Sequence, residues 1–164
     1  MSTVTRADGY RLSTDPDLLD LDRVHHWLST DAYWALGRSR ETVARAFAHS
    51  IAFGVYRADG IQVAVARVVT DRATFAWLCD VYVARQERGR GLGSWLAASA
   101  CDHLAELGVH RILLATVDAH GVYAKLGFGP VKPELWMELD RRQAPVSPLT
   151  GKEQSPESPL TVEG

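Results

Sequence analysis

Cysteine is scarce in this chain. Cys79 and Cys101 are the two cysteines among 164 residues, too few for a disulfide framework at this length. Both lie in apolar surroundings, TFAWLCDVYV and LAASACDHL, so reduced, buried thiols are expected. An excess of one charge is also missing: 18 Lys and Arg stand against 20 Asp and Glu, giving a net charge of −2 and a pI of about 6.3. No global basic field is therefore available for nucleic acid or for an anionic membrane. No apolar run approaches membrane-spanning length and none at the start has the form of a signal peptide, so a cytoplasmic protein without a membrane partner is expected. His25-His26 has no metal-ligand companion nearby, and no metal is expected.

What is present suffices for one domain with a proper core, since 46% of the residues are hydrophobic. Composition shifts after Asp140. Residues 141–164 hold four of the seven prolines and no aromatic residue, which predicts a flexible tail behind a domain of residues 1–140. Within that domain, residues 10–14 suit a short strand, and Asp15-Pro16-Asp17 reads as a helix start with Leu18, Leu21, Val24 and Leu28 on one face. Ser39 can cap a second helix that turns Val43, Ala46 and Phe47 inward. Two β-rich runs, 51–57 and 61–70, flank Ala58-Asp59-Gly60 and read as a hairpin. A long strand over 73–83, a helix over 92–107 stopped by Gly108, a strand over 111–117 and a short helix over 119–126 follow. Residues 128–131 and 135–139 close the series as a last pair of strands. Antiparallel strands first and a βαβ unit later predict an α/β sandwich with a mixed, mostly antiparallel sheet and helices on both faces.

The strongest site signal is a strand, then Arg88-Gly89-Arg90-Gly91-Leu92-Gly93-Ser94, then a helix. Glycines let the backbone turn tightly against a ligand, and a helix N-terminus offers unpaired N–H groups at the positive end of its dipole. Together they make a pyrophosphate cradle, to which Arg88 and Arg90 add charge. A Walker loop would need Lys-Ser/Thr after its last glycine, where this chain has Ser94-Trp95. A dinucleotide fingerprint needs G-x-G-x-x-G, and Gly89, Gly91 and Gly93 run G-x-G-x-G instead. The remaining pattern, Q/R-x-x-G-x-G/A, is matched by Gln86-Glu87-Arg88-Gly89-Arg90-Gly91.

With that loop, and with AHGVYAKLGF one helix and one strand later, residues 10–140 resemble the GNAT superfamily of acyl-CoA-dependent N-acyltransferases. The resemblance implies acetyl-CoA as co-substrate and a splayed pair of central strands between which its pantetheine arm lies. It implies that Val81, Tyr82 and Val83 line that arm through the backbone, and that the amides of residues 88–94 hold the pyrophosphate. It assigns Tyr123 as the acid that protonates the departing thiolate; a packed aromatic residue is the plainer alternative. Many relatives carry Asn where this chain has Thr116, seven positions before Tyr123, and a hydroxyl there offers fewer donors. His120 could touch the same arm or serve only as a surface or capping residue. A homodimer is a further implication.

Asp80 is a carboxylate inside an apolar strand beside the presumed thioester, so it is a candidate base; an ion pair with an arginine is the competing role. Tyr33 and Trp34 could wall the acceptor pocket, with Arg38 or Arg40 pairing with an acceptor carboxylate and Phe75 and Trp77 adding to the lining. Core packing and solvated arginines are the alternatives. The reaction expected is acetyl transfer to a primary amine, probable acceptors being small molecules before proteins. Two other readings stand beside it: an acyl-CoA sensor without turnover, and a protein N-acetyltransferase.

Overall fold

The computed structural model describes residues 3–141, and the chain divides into two compact units, residues 1–129 and 130–164. In the first unit one six-stranded sheet runs in the order of the chain. Its strands are β1 (Thr3–Thr5), β2 (Arg11–Ser13), β3 (Ile51–Tyr56), β4 (Gln62–Thr70), β5 (Ala76–Val83) and β6 (Ile112–Leu113). All neighbours pair antiparallel except β5 and β6, which are parallel. The expected mixed, mostly antiparallel sheet is what forms.

Each face of the sheet carries its own core. On one side α3 (Leu92–Glu106) lays Leu92, Leu96, Ala100 and Leu104 on Phe53, Val55, Val68 and Leu78. On the other, α1 (Leu21–Thr30) and α2 (Arg40–Ala48) bury Val24, Trp27, Leu28, Val43 and Phe47 against Val65 and Tyr82. Trp27 stacks on Tyr82 with ring centroids 5.2 Å apart. Ser39 caps α2 as expected, its side chain accepting from the Thr42 N–H.

The start of α1 departs from expectation. Asp15 caps only a 3-10 turn, Pro16–Leu18, and the helix proper is capped by Asp20 five residues later. Leu18 therefore stays exposed, and Trp27 takes its share of the buried stripe. β1 was not foreseen; it pairs with β2 alone and buries none of its side chains.

The strand expected over 111–117 shrinks to two paired residues, because β5 itself changes course. Arg67 pairs with Cys79 but Val65 pairs with Tyr82, so Asp80 and Val81 together face Ala66. This is a β-bulge, and Asp80 takes a left-handed backbone with φ 50°, a region that Asp tolerates better than most residues. The extra residue flips the faces. Before it, Ala76 and Leu78 point to α3; after it, Val81 and Val83 do, and Tyr82 turns to α1 and α2.

In the second unit no strand forms among the described residues, against the expected final pair. Residues 130–141 hold a 3-10 turn, Pro133–Leu135. Pro130, inside the first of the two expected strands, offers no N–H to a ladder. The tail expected from residue 141 onward lies, apart from its first residue, outside the described residues.

Candidate active site

β5 and β6 part company almost at once. Ala76 pairs with Ile112 and Trp77 with Leu113; from Leu78 to Val83 β5 has no strand on that side among the described residues. The backbone groups left open follow from the ladder on the other side. Ala84 N–H donates to the Val63 carbonyl, so in an antiparallel pair Tyr82 also faces β4, while Val81 and Val83 present their N–H and C=O to the gap. The Val83 carbonyl there accepts from Arg88 Nε at 3.0 Å. An extended amide-bearing chain could take the place of that guanidinium.

The gap ends at the glycine loop. Gly89 and Gly91 have φ of 79° and 72°, conformations that a side chain would strain, and Gly91 is the N-cap of α3. A Cβ on Gly93 would stand 3.6 Å from Val83 Cγ2, so the helix start also packs closely on the strand end. The first bond inside α3 is Trp95 N–H to the Gly91 carbonyl, and no side chain caps the helix. The amides of Leu92, Gly93 and Ser94 thus point out of the N-terminus without a helical acceptor. The Arg88 amide does not join them, since it closes a 3-10 turn by donating to the Arg85 carbonyl at 3.3 Å. That leaves the amides from Gly89 onward as the candidates for a cradle.

The arginine side chains of the loop are committed unequally. Arg88 reaches back to Asp31 at 3.2 Å and lies over the Tyr82 ring, 5.3 Å from its centroid. Asp31 also binds Arg85 and accepts from the Tyr82 hydroxyl at 2.7 Å, and these partners hold its carboxyl well below the usual carboxylate range. Arg90 stays largely exposed, 3.4 Å from buried Glu87. Glu87 accepts a 2.6 Å bond from the Tyr10 hydroxyl, and Arg6 donates to the Arg90 carbonyl at 3.1 Å. The β1–β2 hairpin thereby braces the loop. Nothing in the sequence flagged Arg6, Tyr10, Asp31 or Glu87, because each matters only through a partner distant along the chain.

Across the gap, the segment after β6 leads into α4 (His120–Ala124). Tyr123 sits in α4 half-buried, its ring edge-on to Phe128 with centroids 5.8 Å apart. Burial first, then the neighbouring Tyr33, pushes its phenol above the ordinary tyrosine value, so it holds its proton at neutral pH. Thr116 lies in a loop and not at a strand end; its hydroxyl oxygen accepts from the Ala119 N–H at 3.0 Å, which turns the chain into α4. His120 is exposed at the first position of that helix.

Asp80 is the centre of the acceptor side. Its side chain is 2% exposed and every contact is a donor: Trp34 Nε1 at 3.1 Å, Arg38 Nη1 at 3.0 and 3.1 Å, and Arg67 Nε at 2.8 Å. The arginine partnership weighed for Asp80 is present twice over. Arg67, a lone charge in the run VAVARVVT, was the available clue to it. Tyr33 packs edge-on to Trp34 at 5.0 Å, and its hydroxyl accepts from the Val117 N–H at 3.3 Å, so this aromatic pair spans from Asp80 to the α4 side. Arg40 is elsewhere, bound to Asp22. Phe75 precedes β5 and stands five residues from Asp80, about 16 Å of strand, so the structure does not bring it to this cluster. Trp77 lies at the root of the gap, opposite Leu113. A separate cavity of about 520 Å³, lined among others by Phe47, Ile51 and His103, includes none of these acceptor-side residues. Among the described residues no group of three or more His, Cys, Asp or Glu could hold a metal ion.

A mostly antiparallel sheet whose last parallel pair splays over a glycine-capped helix defines the acetyltransferase class, and comparison with known proteins agrees. The sequence profile of the acetyltransferase (GNAT) family matches residues 21–128, and the chain belongs to that family. A GNAT-family acetyltransferase structure from Xanthomonas campestris pv. campestris is 45% identical, with a TM-score of 0.75 over 80% of this chain and 92% of that one. A Gibberella zeae protein, FG08082, that carries an acetyltransferase name is 32% identical over 74% of this chain and 78% of its own length. An acetyltransferase structure from Deinococcus radiodurans shares the fold at 20% identity, with a TM-score of 0.65 over 84% of this chain and 94% of that one.

Proposed function

We propose that the protein transfers the acetyl group of acetyl-CoA to a primary amine of a small molecule. The observation that carries this is the open backbone of Val81 and Val83 leading straight to the unclaimed amides of the glycine loop. Acetyl-CoA supplies the activated carbonyl. The loop amides from Gly89 to Ser94, with Arg90, hold its phosphates, and Val81, Tyr82 and Val83 align its arm. Arg88 gives up the Val83 carbonyl on binding and stays near the loop through Asp31. A neutral amine nitrogen then attacks the carbonyl carbon, the C–S bond breaks, and the Tyr123 phenol gives its proton to the sulfur. One proton has left the ammonium to water before attack; a second leaves the nitrogen as the amide forms and passes through water to the phenolate, which restores Tyr123.

Asp80 acts in this scheme by position and not as the base. Four donor contacts occupy its two oxygens, so no lone pair is turned to an incoming ammonium. It fixes Trp34, and through Trp34 the placement of Tyr33, which together wall the acceptor. Thr116 and His120 serve the turn into α4, with the Thr116 O–H still free to donate to the arm.

Calorimetric titration with acetyl-CoA and CoA tests the loop assignment. Saturable binding is expected, lost in Gly91→Asp, where a carboxylate would enter the cradle on a strained backbone. Folded wild-type protein that binds neither ligand would refute the proposal. Thiol release in the presence of an amine panel separates turnover from binding alone.

A further inference from the structure

Arg38 and Arg67 both pair with Asp80, while Asp22 pairs with Arg40 and Asp31 with Arg85, Arg88 and Tyr82; Asp118 lies at the other end of the wall, where its charge acts on the Tyr123 phenol. Two guanidinium groups thus share one carboxylate. Arg67 is the fixed member. It is 14% exposed, donates to Ser50 Oγ at 3.1 Å and lies over the Phe47 ring. Arg38 is the accessible member, 24% exposed, and bound to Asp80 through Nη1 alone, which leaves donors of its planar fork for another acceptor. A guanidinium held at one nitrogen and open to solvent keeps a planar fork that can take a second oxyanion.

Position gives this charge its use. Arg38 touches Asp80, Asp80 holds Trp34, Trp34 meets Tyr33, and Tyr33 bonds the segment that enters the Tyr123 helix. Both aromatics are more than two-fifths exposed, so a ligand can lie along them between Tyr123 and Arg38. We infer that the acceptor is an amine with an anionic group, a carboxylate or equivalent oxyanion, placed several bonds from the nitrogen and bound by the Arg38 fork beside Asp80. This rests on the acetyl-transfer reading above.

Thiol release is measured with a series of ω-amino acids of increasing chain length, each beside its uncharged ω-amide, whose amine has nearly the same basicity. At the best length the acid should exceed its amide about tenfold or more in kcat/KM, and raised salt should shrink the ratio. Arg38→Gln should bring the ratio close to one, and Arg38→Lys should retain part of it. Calorimetric binding of acetyl-CoA by each variant reports an intact fold. Amides turned over as well as or better than the acids, or a preference that survives Arg38→Gln in a variant that still binds acetyl-CoA, would overturn the inference. Absence of thiol release with every amine, despite acetyl-CoA binding, would instead sink the acetyl-transfer reading on which it rests.

Discussion

At the scale of single residues, the protein keeps two phenols for opposite reasons. Tyr56 is buried, its hydroxyl has no hydrogen-bond partner among the described residues, and it fills the space where a Cβ on Gly54 would stand. Removing a buried, unpaired hydroxyl while keeping the ring should stabilise the fold, so Tyr56→Phe is expected to gain about 1 kcal/mol in urea unfolding. Burial also pushes the Tyr56 phenol up to about 12. A folded pKa raised above the ordinary value of about 10 leaves stability full below pH 10 and erodes it as pH rises from about 10 through about 12. Tyr56→Phe should therefore flatten that alkaline fall; an unchanged slope would assign it to other groups, Tyr82 first, which also stands at about 12. Tyr123, by contrast, should matter little to stability and much to turnover. Tyr123→Phe is expected to lower kcat roughly 100-fold with acetyl-CoA affinity nearly unchanged. Since its phenol is raised, the wild-type rate should show no loss between pH 7 and 9 that the variant lacks. Tyr123 was legible in the sequence because a local motif surrounds it. Tyr56 and Gly54 were not, since their relation is a register of strand pairing.

At the scale of elements, the bulge in β5 decides most of the site. It turns Tyr82 toward α1, frees Val81 and Val83 toward the gap, and delivers Asp80 to its arginines. Asn accepts the left-handed backbone about as well as Asp but carries no charge to answer Arg38 and Arg67. Asp80→Asn should cost about 3 kcal/mol of unfolding free energy, as breaking one side of a buried ion pair does. A base would behave differently: the variant would keep its melting temperature and lose kcat with a shifted acid limb. That outcome would return Asp80 to the catalytic group. The order of strands and helices through α3 could be read from periodicity and caps, and the glycine loop from its spacing. The bulge could not: Asp80 stood out as a charge within an apolar run, but a charge there does not reveal an extra residue in the ladder. From that one residue follow the short β6 and Thr116 standing in a loop. The absence of the final pair among the described residues has a different cause, a proline at 130 where a ladder donor would be needed and a 3-10 turn at Pro133–Leu135.

At the scale of the whole molecule, the first hairpin of the sheet returns to the glycine loop. β1 and β2 lie four and three strands from β5, yet their connecting turn returns to the loop that follows β5. Arg6 lies between the rings of Tyr10 and Trp95, 5.3 and 5.2 Å from their centroids, and donates to the Arg90 carbonyl. Tyr10 is bonded to Glu87 on the far side of Arg88. Two anchors thus hold a segment whose glycines would otherwise leave it free, and an ordered loop binds phosphate without first paying the entropy of becoming ordered. The hairpin contributes little else, since β1 buries no side chain. Arg6→Ala should therefore leave the melting temperature within about 2 °C, a shift that corresponds to a surface change of a few tenths of a kcal/mol. The same variant should weaken acetyl-CoA binding about fivefold, and adding Tyr10→Phe should weaken it further. Salt separates bracing from direct attraction. If Arg6 acts by ordering the loop, the loss persists at 0.5 M salt, roughly where screening has cut exposed charge attraction to within a few ångströms. If the variant and wild type converge at that salt, Arg6 attracts the phosphates directly and the hairpin does not order the loop.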